Sequence, residues 1–149
     1  MRFSSIVLSA LATIALANKS DGSAVTDGQV VVLSLDNYKQ ITGDSTKDVL
    51  VEYFAPWCPH CNEFAPDYEK LAGLFAAEKE HVTIAKFDAS SNKIPDVSIT
   101  GFPSFYLFPA NQKDKPVAYE GDRSVEELAD FVKEKGYYGV DVLGDDDDE

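Results

Sequence analysis

Two sulfur atoms dominate the chemistry available to this chain: Cys58 and Cys61 are its only cysteines, separated by Pro59 and His60. They follow an apolar run, Val49 to Ala55, and a Pro56-Trp57 breaker, and they lead into a helix-like stretch, Asn62 to Glu80. The pair therefore sits where a strand ends and a helix begins. Backbone N–H groups at a helix start favour negative charge, which stabilises a thiolate and lowers its pKa. A Cys-x-x-Cys pair placed this way is laid out for thiol–disulfide exchange. Cys58, at the exposed end of the helix, is then the nucleophile, and Cys61, one turn on and more buried, resolves the mixed disulfide. The competing account is a structural disulfide, yet closing a loop of four residues gains only about 2 kcal/mol. Tetrahedral zinc needs four ligands, and only His60 and His81 are left to join the sulfurs, so no metal is expected.

Other residues around the pair bear on the same chemistry. His60 adds a donor, and a positive charge when protonated, beside the Cys58 thiolate, unless it is a solvent-facing loop histidine. Stabilising that thiolate favours the reduced form and makes the disulfide a stronger oxidant. Pro59 stiffens the turn. Glu52 is the odd residue among Val49, Leu50, Val51, Tyr53 and Phe54, so its burial is expected. A buried carboxylate has a raised pKa and can accept a proton near neutral pH. Trp57, Phe54, Phe102 and Tyr106 offer an apolar rim for unfolded chains, or else belong to the core.

Val30 to Leu33 reads as a short strand, and Ser34 as the N-cap of a helix from Leu35 to about Ile41. Val49 to Ala55 is near-continuously apolar, as suits a central parallel strand covered on both faces. The helix from Cys58 to Glu80 carries Pro59 in its first turn, where proline is tolerated, and Pro66 inside, where a kink is expected. Val82 to Asp88, Ser104 to Phe108 and Val117 to Tyr119 read as further strands, the last two as an antiparallel pair. Ser124-Val125-Glu126-Glu127 is a capping-box pattern opening a final helix striped by Leu128, Phe131 and Val132, with Gly136 as its stop. The order implies an α/β sandwich with a mixed central sheet between helices.

The flanks read differently. Met1-Arg2, an apolar stretch from Ile6 to Ala17 and an Ala15-Leu16-Ala17 end describe a signal peptide over residues 1–17. Residues 18–29 read as a flexible spacer, 30–136 as one compact domain and 137–149 as an acidic disordered tail. That tail is a solvated terminus or a weak calcium buffer without an ordered ligand loop. The formal charge of the 149 residues is −13, from 26 acidic and 13 basic side chains. This argues against nucleic acid and anionic membrane surfaces as partners. No segment reaches the length and apolarity of a membrane helix. An oxidising compartment follows from the leader.

Val51-Glu52-Tyr53-Phe54-Ala55-Pro56-Trp57-Cys58-Pro59-His60-Cys61 closely resembles the active-site segment of protein disulfide isomerase catalytic domains. Ala65-Pro66, Ala85-Lys86-Phe87-Asp88, Gly101-Phe102-Pro103-Ser104 and Tyr119-Glu120-Gly121-Asp122-Arg123 follow in the family's order. The resemblance covers roughly Val30 to Gly136 and implies the thioredoxin fold. It implies that Glu52 deprotonates Cys61 and that Lys86 pairs with this acid, although a structural ion pair would look the same. It also implies a cis Phe102–Pro103 peptide facing the sulfurs, which leaves neighbouring backbone free to pair with extended substrate. Arg123 would approach the resolving cysteine, or remain a solvated residue near a helix start.

The implied activity is forming and rearranging disulfides in folding secretory proteins, with no cofactor beyond the redox-active pair. Implied partners are unfolded or disulfide-bonded clients and glutathione or a partner oxidase, for a monomer in the endoplasmic reticulum lumen. Secretion is the alternative address, because no retention tetrapeptide ends the chain. The chain departs from the family pattern in its lone catalytic domain and in Pro59, which replaces the usual glycine as in bacterial periplasmic disulfide oxidases. A redox-independent chaperone or client-binding module, and a dedicated reductant, are the other functions this pattern allows.

Overall fold

The computed structural model describes residues 25–93 and 96–144. The expected leader, the first part of the spacer and the Asp145–Glu149 run lie outside them. Six strands form one mixed sheet in the order β1-β2-β4-β3-β5-β6. Here β1 is Val25–Asp27, β2 Val30–Leu33, β3 Asp48–Phe54, β4 Val82–Asp88, β5 Ser104–Phe108 and β6 Val117–Ala118. Strand β3 pairs in parallel with β4 and antiparallel with β5, so it lies inside the sheet. Its alternate residues serve two cores, which explains its lack of polar–apolar alternation. Leu50, with Ile84, Phe105 and Leu107, packs on helices α2 (Pro59–Leu74) and α3 (Val125–Lys135). Val49, Val51 and Tyr53, with Ala85 and Phe87, pack on the other face with Tyr38 of α1 (Tyr38–Thr42).

Helix α2 buries Cys61, Phe64, Tyr68, Leu71 and Ala72, a stripe at helical spacing that turns the resolving sulfur toward the sheet. It runs through Pro66 without interruption and ends at Leu74, followed by a 3₁₀ turn over Ala76–Glu78 rather than helix to Glu80. α3 begins as expected, with Ser124 Oγ accepting the Glu127 N–H at 3.1 Å. The reciprocal half of the box is replaced: Glu127 Oε2 takes the Asp122 N–H at 2.9 Å and the Tyr119 hydroxyl at 3.0 Å.

Three boundaries differ from the sequence reading. The spacer is structured from Val25, because β1 pairs antiparallel with β2 across a turn in which Gly28 has a φ of 62°. The first helix starts at Tyr38, not Leu35, since Ser34 does not cap it. Instead the Asn37 side chain accepts the Ser34 N–H at 2.7 Å and closes a tight turn before the helix. The domain also extends past Gly136: Val140 and Val142 pack against the α2–α3 core. Asp48, fully buried at the start of β3, accepts the N–H groups of Ala110 (2.8 Å), Tyr137 (3.0 Å) and Tyr138 (3.1 Å).

Candidate active site

Strand β3 ends at Phe54, and four residues later Cys58 becomes the N-cap of α2 in extended backbone conformation. Its Sγ accepts the Cys61 N–H at 3.2 Å, the role a serine or threonine oxygen usually takes. The Cys58 N–H donates to Ala55 O at 3.1 Å and the Cys58 carbonyl accepts from Asn62 at 3.1 Å, so the turn is fixed on both sides. Pro59 occupies the helix start, where its missing N–H leaves no gap.

The exposure of the two sulfurs differs from the expectation. Cys58 and Cys61 are equally buried, each 4% exposed, rather than one open and one hidden. The capping bond turns the Cys58 sulfur back over the first helical turn, and Phe54 and Phe102 pack against the pair. On the open side the Cys58 Sγ lies 3.6 Å from the Phe102 carbonyl oxygen. The Phe102–Pro103 peptide is cis. Trp57 is 70% exposed and meets Phe102 edge to face at 5.8 Å, so these two rings line the approach to Cys58.

Beneath the pair lies Glu52. It is 3% exposed, and its Oε2 has no hydrogen-bond partner among the described residues. Burial pushes its pKa up to about 7, against the pull of the Lys86 charge. Lys86 stands beside it in the β3–β4 register, its Nζ 5.6 Å over the Phe54 ring. The Cys61 thiol is pushed up to about 12, by burial first, then by the hydrogen bond with Cys58 and by the Cys58 and Glu52 charges. A backbone hydrogen bond from Ala55 works in the opposite direction. A thiol that holds its proton this firmly needs a base to react at neutral pH, and Glu52 is a buried carboxylate near enough for its charge to act on it.

The remaining candidates are placed less centrally. His60 points along the helix surface, its Nδ1 3.7 Å from Glu63 Oε2, instead of folding over Cys58. Arg123 is exposed ahead of α3 and lines a cleft of about 430 Å³ that it shares with Pro103 and Ser104. The groups acting on Cys61 do not include it. Tyr106 belongs to the opposite core, edge to face with Tyr53 at 5.7 Å, and is no part of the rim. Sequence reasoning missed Tyr68, whose buried hydroxyl donates to Ala85 O at 2.6 Å. The raising of its pKa, mainly by burial, includes a contribution from Glu52. Its signal was the Cys61, Phe64, Tyr68 stripe itself. Among the described residues no group of three or more His, Cys, Asp or Glu side chains could hold a metal ion. No helix among them is long and apolar enough to cross a membrane.

Comparison with known proteins points the same way. Residues 29–134 match the family model described as Thioredoxin. The chain is 55% identical over 117 residues to a protein disulfide-isomerase of Aspergillus oryzae, covering 78% of this chain and 22% of that protein. A protein disulfide-isomerase of Arthroderma benhamiae is 48% identical over 133 residues, covering 87% of this chain and 25% of that protein. The chain thus spans about a quarter of the length of these curated relatives. Among solved structures, the first thioredoxin domain of mouse protein disulfide-isomerase A4 superposes with a TM-score of 0.67 at 33% identity. That match covers 76% of this chain and 80% of the mouse domain.

Proposed function

This chain belongs to the thioredoxin family, and from that premise we propose that it is a thiol–disulfide oxidoreductase and isomerase of folding secretory proteins. In the proposed reduction, the Cys58 thiolate attacks one sulfur of a client disulfide. That S–S bond breaks, a Cys58–client disulfide forms and the second client sulfur leaves as a thiolate. Glu52 then takes the Cys61 proton, and the Cys61 sulfur attacks Cys58. The mixed disulfide breaks, the client thiolate is released and the Cys58–Cys61 disulfide carries the two electrons' worth of oxidation. Oxidation of a client dithiol is the same sequence run backwards. Rearrangement follows when another client thiol attacks the mixed disulfide before Cys61 does.

The observation that carries this reading is the unpartnered Glu52 oxygen beneath a thiol that otherwise keeps its proton to about pH 12. A structural disulfide would gain nothing from a buried carboxylate held at an unfavourable protonation balance. The Trp57–Phe102 pair suits extended, partly unfolded polypeptides, and Lys86, His60, Pro59 and Arg123 would tune or support the exchange. Glutathione or a partner oxidase would reset the pair, in the endoplasmic reticulum lumen.

Equilibrating the Cys58–Cys61 couple with glutathione tests the proposal, together with reactivation of scrambled ribonuclease. The couple is expected to exchange reversibly, and Cys58→Ala to lose ribonuclease reactivation altogether. Unchanged client folding by Cys58→Ala would make the chain a redox-independent chaperone instead.

A further inference from the structure

The thiol chemistry uses one face of the sheet, but the opposite face holds an unexplained set of phenols. Tyr38 from α1, Tyr53 from β3 and Tyr106 from β5 come from separate elements and meet ring against ring. Tyr38 is 4% exposed and Tyr53 0%. Phenylalanine would pack as well there without the cost of desolvating a hydroxyl. Each hydroxyl has a directed partner. Tyr106 donates to the Ser98 carbonyl at 2.5 Å, and Tyr38 donates to Asp96 Oδ1 at 3.3 Å. The Tyr38 proton is committed to that carboxylate, so the Tyr53 hydroxyl, 2.5 Å away, is the donor to Tyr38.

Two of them, Tyr106 and Tyr38, therefore reach one stretch, Asp96 to Ser98, which has no helix or strand of its own, and Tyr53 braces Tyr38. Val97 and Ile99 add apolar anchors in the same cluster, and Ser104 Oγ donates to the Gly101 carbonyl, three residues past Ser98, at 2.7 Å. This stretch leads directly into Phe102, whose carbonyl stands 3.6 Å from the Cys58 sulfur. We propose that Tyr106, Tyr38 and Tyr53 are positioning residues for client binding: they hold the 96–101 segment so that Phe102 stays aligned beside Cys58. The inference rests on the oxidoreductase reading for its client, but the mechanical part stands on the hydrogen bonds alone. A large polypeptide needs the segment's backbone in place, whereas glutathione needs only the sulfur.

The test is the full chain carrying Tyr106→Phe and Asp96→Ala together, which keeps the rings packed and removes both ties. Backbone ¹⁵N order parameters at Ser98, Gly101 and Phe102 are expected to fall from the rigid range, about 0.85, toward about 0.6, with β3 unchanged. For scrambled ribonuclease, KM is expected to rise about fivefold or more with kcat within about twofold, while glutathione exchange at Cys58 keeps its rate. Unaltered order parameters overturn the proposal. So does a parallel fall in client and glutathione rates, which would mean general destabilisation. If the unsubstituted chain fails to exchange with glutathione, the oxidoreductase reading fails instead, and the order parameters still decide whether the phenols hold the segment.

Discussion

Strand β3 carries two buried carboxylates, four residues apart, and they are treated in opposite ways. Asp48 is 0% exposed, yet its two oxygens accept three backbone N–H groups, from Ala110, Tyr137 and Tyr138. Glu52 is 3% exposed and keeps one oxygen without a partner. Burial is equal, so burial alone says nothing about role. Hydrogen bonding separates them: a satisfied acceptor organises backbone, whereas an unsatisfied one sits at unfavourable energy and is available for a proton. Asp48 ties down the domain's far end, and Glu52 lies beside the sulfurs, its charge acting on Cys61.

The contrast is broken most severely at Asp48. Asp48→Ala strands three N–H groups and is expected to cost about 3–5 kcal/mol in urea unfolding, because each buried unsatisfied donor costs about 1–3 kcal/mol. Exchange with glutathione, measured on the folded fraction, should stay within about twofold of the parent. A loss of specific activity as large as the loss of stability would show that the two carboxylates are not separable.

Glu52→Leu should do the reverse. Resolution of the mixed disulfide, followed by quenched-flow trapping, is expected to slow about a hundredfold at pH 7, the usual scale for a lost general base. Stability should move the other way, and the direction follows from proton binding. The carboxyl is raised from its ordinary 4.5 to about 7, so the folded state binds more protons than the unfolded state between those values. Glu52 thus costs stability as pH rises through that window, by roughly 3 kcal/mol once pH exceeds about 7. Urea titrations at pH 4 and pH 8 should find the leucine variant ahead of the parent only at the higher pH. A variant less stable than the parent at pH 8 would refute the assignment.

The smallest effect sharpens the picture at Lys86. Its charge pulls the Glu52 carboxyl down against burial, so Lys86→Met should move the pH midpoint of the resolution step upward, by roughly half a unit to one unit. A midpoint that moves down, or does not move, would mean that Lys86 acts on something other than Glu52.

Much of this arrangement was legible in the chain. β4 and β5 have the predicted bounds, because short segments rich in β-branched, aliphatic and aromatic residues between turn residues leave few alternatives. The sulfur pair at a strand-to-helix junction and the buried Glu52 were legible for the same local reason. Asp48 was not, since its partners Tyr137 and Tyr138 are distant in sequence and backbone donors carry no side-chain signature. The equal burial of Cys58 was missed because a sulfur acting as its own helix cap folds inward, an outcome that spacing does not reveal. Ser34 failed as a cap because its hydroxyl faces the Asn37 side-chain oxygen, which also takes its N–H, instead of a helix N–H. Tyr106 looked like rim from its place near Phe102, but strand alternation turned it to the other face.

The clamp at Asp48 also decides where this module can be tethered. The six residues after Asp48 in extended β3 lead from the clamp to the strand's sulfur end, a span of roughly 20 Å at the usual rise per residue. Tyr137 and Tyr138 are thus anchored at the pole of the sheet remote from the sulfurs. A fluorophore or an affinity handle joined at that pole would leave the Cys58 end unshaded.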